Sequence, residues 1–220
     1  EELRGETSPA PLVHNIAAEW FRHFWDRFAF AGSPPRVPVI IEHASVEELD
    51  QHLGSTGGPV RLESISEYGQ VQKLTLHVVR DIPFLCQDQL PRELFRALID
   101  TALETPRCPP WLQEGLSARA RGPLARARDR FLLNQAREQG RLPDVRDLVD
   151  MRHVDHEVHR AACGAIVDQL LETTPRALIP LRLQQIRDLG LEAFLRSTTE
   201  IDTLHKLQQR WVGDLVDRKG

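Results

Sequence analysis

Three groups of side chains in this sequence are able to do chemistry. In MRHVDHEVHR, His153, His156 and His159 recur every three residues. Neighbours at that spacing can share a helix face. With Asp155 or Glu157 beside them, such imidazoles could take Zn²⁺, Ni²⁺ or Cu²⁺ adventitiously. A functional site would also need a fourth ligand and groups that orient the rings. The favoured reading is plainer: a polar first turn of a helix whose later part, Ala161 to Leu171, is buried. The second group is Arg92, Glu93 and Arg96 in LPRELFRALI. Leu94, Phe95, Leu98, Ile99 and Ala102 form the apolar stripe of that helix. Arg92 and Arg96 lie at its edge, so on these residues alone they read as a solvated face. The third group is SARARGPLARARDR, with Arg119, Arg121, Arg126, Arg128 and Arg130. These could meet a phosphate backbone. No aromatic residue interleaves them, however, and the chain carries a net charge of −4. A solvated helical surface and no nucleic-acid partner are expected.

The second group changes meaning beside residues 109–118, which read PPWLQEGLSA. Together the two stretches resemble the active-site core of the gluzincin zinc metallopeptidases, in their bacterial, thermolysin- and aminopeptidase-like form. In that family an H-E-x-x-H helix is followed by P-x-W-L-x-E-G. By this resemblance Glu93 stands where the general base stands, and Glu114 where the third ligand stands. Trp111, Leu112 and Gly115 fill the rest of the second motif. The two histidine positions are held by Arg92 and Arg96. The interval from Arg96 to Glu114 is close to the family's usual one. A Tyr or His from the C-terminal half stabilises the oxyanion in related peptidases, and the resemblance suggests His159 as a positional counterpart.

The substitution removes the zinc chemistry that the resemblance implies. Two histidines four apart on a helix face can hold one Zn²⁺, with a downstream carboxylate as third ligand and water in the open position. The metal then lowers the pKa of its water and polarises the scissile carbonyl. A guanidinium has no lone pair to donate and stays protonated. The ordinary site therefore cannot form, and no metal cofactor is expected. Zinc enters only under the alternative of a non-standard site. Without metal, Glu93 and Glu114 are uncompensated. Arginine supplies a fixed charge and a planar fork that fits a carboxylate. Arg96–Glu114 is the expected pair, standing where the metal stood.

The resemblance thus implies a catalytically inactive peptidase-like domain with a structural or peptide-binding role. Its cleft would offer a strand edge to a protein or an extended peptide. Two alternatives stand beside it. One is an active hydrolase whose metal site is built from the histidine cluster and the glutamates. The other is a helical interaction module that makes no use of the cleft.

The elements that would position these residues can be read from periodicity and punctuation. From Leu12 to Phe28, apolar residues recur every four positions (Leu12, Ile16, Trp20, Phe24, Phe28), with Val13, Ala17, Phe21 and Trp25 widening the stripe. Gly32-Ser33-Pro34-Pro35 ends that helix. Residues 37–42, VPVIIE, predict a strand. Ser45 and Glu48 form a capping-box signature, and Gly54 fits the end of the next helix. Val60 to Ile65 and Val71 to Val79 predict two more strands. In the latter, Leu74, Leu76 and Val78 alternate with Lys73, Thr75 and His77, which predicts one buried and one polar face. A helix with Pro91 in its first turn runs to about Glu104. The next begins at Pro109-Pro110 and closes at Gly122. Helices are then expected at about 123–138, 144–150, 153–172, 175–189, 190–197 and 199–217.

This is an α+β pattern: an N-terminal helix and small mixed sheet, then a mostly helical C-terminal half. The resemblance covers the same layout from about residue 12 to 217. We expect residues 1–10 to be a loose lead-in. Residues 11–220 should form one metallopeptidase-like domain, with a helix-plus-sheet part at 11–90 and a helical part at 91–220. No apolar run approaches transmembrane length. No signal peptide is visible, but the chain opens on Glu1 rather than Met. A trimmed signal, and with it an extracytoplasmic location, would fit a soluble domain whose compartment is otherwise not legible. Cys86, Cys108 and Cys163 are odd in number and unclustered. They read as small apolar residues rather than a disulfide framework, a zinc knuckle or nucleophiles.

Overall fold

The computed structural model describes residues 10–27, 38–67, 70–80, 88–102, 108–151, 156–172, 174–198 and 201–217. The first helix, α1, spans Ala10–Arg27. Its buried stripe is Ala17, Phe21, Phe24 and Trp25, while Ile16 and Trp20 sit half-buried at the margin. Strand β1 (Val39–His43) leads into α2 (Val46–Leu53), then β2 (Val60–Glu67) and β3 (Gln70–Val79). Half of the expected capping box is present at α2, where Glu48 N–H donates to Ser45 Oγ at 3.2 Å, while Glu48 Oε2 accepts from Ala44 N–H, one residue before the cap, at 2.7 Å. Gly54 closes the helix at φ 63°, a conformation that suits glycine. The end expected at Gly32 to Pro35 lies outside the described residues.

The sheet is mixed, in the order β1-β3-β2. β1 runs parallel to β3 with Val39 opposite Thr75, and β2 runs antiparallel to β3 with Leu62 opposite Leu76. β2 is therefore an edge strand of the described sheet. Leu74, Leu76 and Val78 join the main core, against which α3 (Gln89–Ala102) is packed.

The other face of β3 differs from the expectation. Thr75 and His77 are as buried as the leucines beside them. The cause is α2, which lies over this face. His52 of α2 lies against His43 and His77, and Arg61 of β2 pairs with Asp50 of α2. A period-two pattern reports which residues share a face, not what covers it. Burial, then the neighbouring His43, holds the His77 imidazole below its usual pKa, with Glu63 opposing.

The C-terminal half is helical: α4 (Pro110–Ala120), α5 (Pro123–Glu138), α6 (Val145–Val149), α7 (His156–Leu171), α8 (Ile179–Leu189), α9 (Leu191–Thr198) and α10 (Leu204–Asp217). A 3₁₀ turn at Arg176–Leu178 precedes α8, where an uninterrupted helix was expected. α10 starts later than expected, and Thr203 Oγ1 accepts from Lys206 N–H at its first turn. The buried Trp211 donates to Gln208 Oε1 at 3.2 Å, and the same oxygen accepts from Val145 N–H at 2.9 Å. That link ties α10 to the start of α6. One cluster of buried apolar residues runs from Ala17 through Leu76 and Leu112 to Trp211. Among the described residues, no helix is long and apolar enough to cross a membrane.

Candidate functional site

α3 and α4 place the motif residues beside the β2 edge. Leu94, Phe95, Leu98 and Ile99 are fully buried and fix the roll of α3. The opposite side of the helix then turns Arg92, Glu93 and Arg96 into a cavity of about 590 Å³, closed by Val60 to Leu62 of β2 and by the 108–113 segment. α4 is anchored by Trp111 and Leu112, both buried in the core.

Gly115 is fixed by a close helix crossing. A Cβ there would stand 2.5 Å from the Cys163 carbonyl oxygen and 2.5 Å from Val167 Cγ2, both on α7. Gly164 of α7 in turn faces Ala118, whose Cβ would lie 2.9 Å from a Cβ at that position. This crossing sets where Glu114 stands.

The charges in the cavity are interlocked. Glu93 is only 5% exposed. Its Oε1 accepts from Arg92 Nε at 3.0 Å and lies 2.7 Å from Arg92 Nη2. Arg96 Nη1 stands 3.6 Å from the same oxygen and 3.3 Å from Glu114 Oε1. One guanidinium thus touches carboxylates from two helices. The plain reading of Arg92, Glu93 and Arg96 as a solvated face does not hold for Glu93, because β2 and the 108–113 segment cover that side of α3.

The Arg96–Glu114 pair keeps part of its solvent contact, with side chains 32% and 20% exposed. Screening holds such pairs to about 1 kcal/mol or less. A double-mutant cycle with Arg96→Met and Glu114→Gln, read by denaturant unfolding, should give a coupling of about that size. Strict additivity would mean that Arg96 does not act on Glu114.

His159 sits buried on α7, with Nε2 3.1 Å from Met151 Sδ. It is not among the described residues lining the cavity. His153 and Asp155 lie outside the described residues, as does the side chain of His156. As the side chains are placed, no three His, Cys, Asp or Glu donors among the described residues stand in ligating arrangement. Cys163 is fully buried. Burial, then the negative charge of Glu114, pushes its thiol up to about 12, so it stays protonated and inert. Cys108 is a buried thiol at the cavity wall, and Cys86 lies outside the described residues.

Two arrangements are not legible in the sequence. Arg121, which its sequence neighbours assign to a solvated basic surface, is 1% exposed. It pairs with Asp88, just before α3, and with Asp129 of α5 at 2.6 Å. Its position at the Ala120–Gly122 break between α4 and α5 is the one local hint. The other is the group His43, His52 and His77, brought together from β1, α2 and β3.

No protein-family model matches this chain, and no curated protein or solved structure matches it either.

Proposed function

We propose that this chain is a catalytically inactive, gluzincin-like metallopeptidase domain whose cleft binds an extended peptide. The observation that carries the proposal is Arg96 Nη1, held 3.3 Å from Glu114 and 3.6 Å from Glu93. In a zinc peptidase of this layout, a divalent cation occupies the space between the ligand helix and the third-ligand glutamate. Here a fixed monovalent cation neutralises the same carboxylates. It cannot activate water, because it offers no vacant coordination position and does not titrate. Glu93 is engaged as the partner of two guanidiniums.

The remaining feature is a groove with one wall made by β2. An edge strand presents unpaired N–H and C=O groups, and a peptide laid along it can add to the sheet. Main-chain bonds would supply affinity, and the charged floor formed by Arg92, Glu93 and Arg96 would read side chains.

The test has two arms. The double variant Arg92→His, Arg96→His rebuilds two imidazoles four apart beside Glu114. It should bind one zinc equivalent more than the parent, measured by calorimetry with elemental analysis. An unchanged stoichiometry would sink the gluzincin-like geometry. In the second arm, peptides selected from a library on the parent protein should slow amide exchange in Val60 to Ser66 and remain uncleaved. Ligands that leave β2 exchange unchanged would remove the cleft as the binding groove.

A further inference from the structure

We infer that α2 is an acid-released cap on the sheet, latched by the hydrogen bond between His43 of β1 and His77 of β3 beneath it, a bond that fails once both rings carry an added proton. This inference does not rest on the reading of the cleft, because α2 and α3 lie on opposite faces of the sheet.

The cap is small. α2 is 8 residues long, and Leu49 is its one fully buried residue. A helix this short is held by what it packs on rather than by its own bonds. The face of β3 that it covers carries Thr75, His77 and Val79. His43 and His77 are 3% and 0% exposed there, with His43 Nε2 and His77 Nδ1 at 3.0 Å.

Two neutral imidazoles carry two protons on four nitrogens. One proton lies in the shared bond, so one outer nitrogen is an N–H and the other a bare lone pair. These outer nitrogens, His43 Nδ1 and His77 Nε2, are buried without a hydrogen-bond partner. They face carboxylates just beyond hydrogen-bond length, Glu48 of α2 at 3.8 Å and Glu63 of β2 at 3.7 Å. A first added proton makes both outer nitrogens donors towards these carboxylates and leaves the shared bond intact. A second sets N–H against N–H in the shared contact and puts two positive charges in a buried face.

The other neighbours also resist that second proton. The His52 ring of α2 lies 5.2 Å from both rings, centroid to centroid. Arg61 stands opposite His77 on β2, although Asp50 and the Ser55 and Gly58 carbonyls engage its guanidinium. Burial, then His43, keeps the His77 imidazole below its usual pKa, against the pull of Glu63. β1 and β3 are tied by a parallel ladder from Val39 to His43. Relief therefore comes from lifting α2, which lets water reach the rings. The covered His77 binds a proton less readily than the uncovered one. α2 is thus held above about pH 6.5, the ordinary histidine value, and loosens as pH falls below it.

Amide exchange of Leu49 to Leu53 would be measured in the parent at about pH 7.5 and about pH 5.5, each rate divided by its intrinsic rate at that pH. Protection should fall by about two- to tenfold at the lower pH, since one proton changes an opening equilibrium by at most about tenfold per pH unit. Protection across α3 should hold, which separates release of α2 from global unfolding. His77→Asn keeps an uncharged amide beside His43, so its α2 should stay protected at both pH values. His205→Gln, an exposed change on α10, should behave as the parent. Where His77→Asn fails to fold, ring resonances of the parent decide: His77 must titrate below about 6.5, in step with the α2 amides. A parent loss under about twofold, an equal loss in His77→Asn, a loss abolished by His205→Gln, or a His77 ring titrating at or above its ordinary value would each overturn the latch.

Discussion

Replacing Arg121 with methionine should lower the free energy of unfolding by about 3–5 kcal/mol, because it strands a buried carboxylate. The guanidinium sits at the break between α4 and α5, where the chain turns extended at φ −69°, ψ 154°. It is almost fully enclosed and bonds to Asp88 and Asp129. Asp129 is itself buried, so removing its partner leaves a poorly solvated charge with only the neighbouring Arg160 to offset it. Against a typical net stability of about 5–15 kcal/mol, that loss is large. The contrast is Arg128, whose pair with Glu157 at 2.6 Å is exposed on both sides. Arg128→Met should cost less than about 1 kcal/mol. Adding Asp129→Asn to Arg121→Met should recover part of the loss, since the stranded charge goes with it. Denaturant unfolding of these variants beside the parent is the measurement. A loss at Arg121 no larger than that at Arg128 would show that the buried network contributes nothing.

The second large effect is expected at Gly115. Alanine there should destabilise by about 1–3 kcal/mol, towards the upper end, because part of what it meets is backbone. The Cys163 carbonyl oxygen at 2.5 Å cannot rotate away as a side-chain tip can. α7 must shift as a whole, and with it the packing that holds Glu114 opposite Arg96. Gly213 is the control. It lies inside α10 with nothing near its absent Cβ, so Gly213→Ala should stabilise by about 1 kcal/mol through helix propensity. Thermal unfolding midpoints moving in opposite directions for the two variants would bear out the close α4–α7 crossing. A neutral Gly115→Ala would contradict it.

These two residues show how the candidate site is held. Gly115 lets α4 approach α7, and Arg121 pins the end of α4 to the start of α3 and to α5. Between them they set the height and roll of Glu114 relative to Arg96. Neither residue touches the cavity.

The amino-acid sequence by itself determined the series of elements and some of their ends, though not the 3₁₀ turn before α8 or the start of α10. Helical spacing of apolar residues placed α1 and α10, a β-branched run placed β1, alternation marked β3, and Ser45, Glu48 and Gly54 bounded α2. These signals are local, since a helix stripe or a cap depends on residues within one or two turns. The pairing of Arg96 with Glu114 was expected only through the resemblance of the two stretches to a peptidase motif; on the residues alone, Arg92, Glu93 and Arg96 read as a solvated face.

Only the tertiary structure decided which charges are enclosed. Arg119 and Arg121 are two residues apart in one basic run, yet Arg121 is buried because Asp88 and Asp129 arrive from segments 33 and 8 residues away. His77 looked like the polar side of a half-exposed strand until α2 covered it. His43 reaches it only because β1 joins β3 in parallel, across 34 residues of sequence. Burial of a polar group depends on what packs over it. That partner is chosen by the fold as a whole, so no window of sequence around Arg121 or His77 contains it.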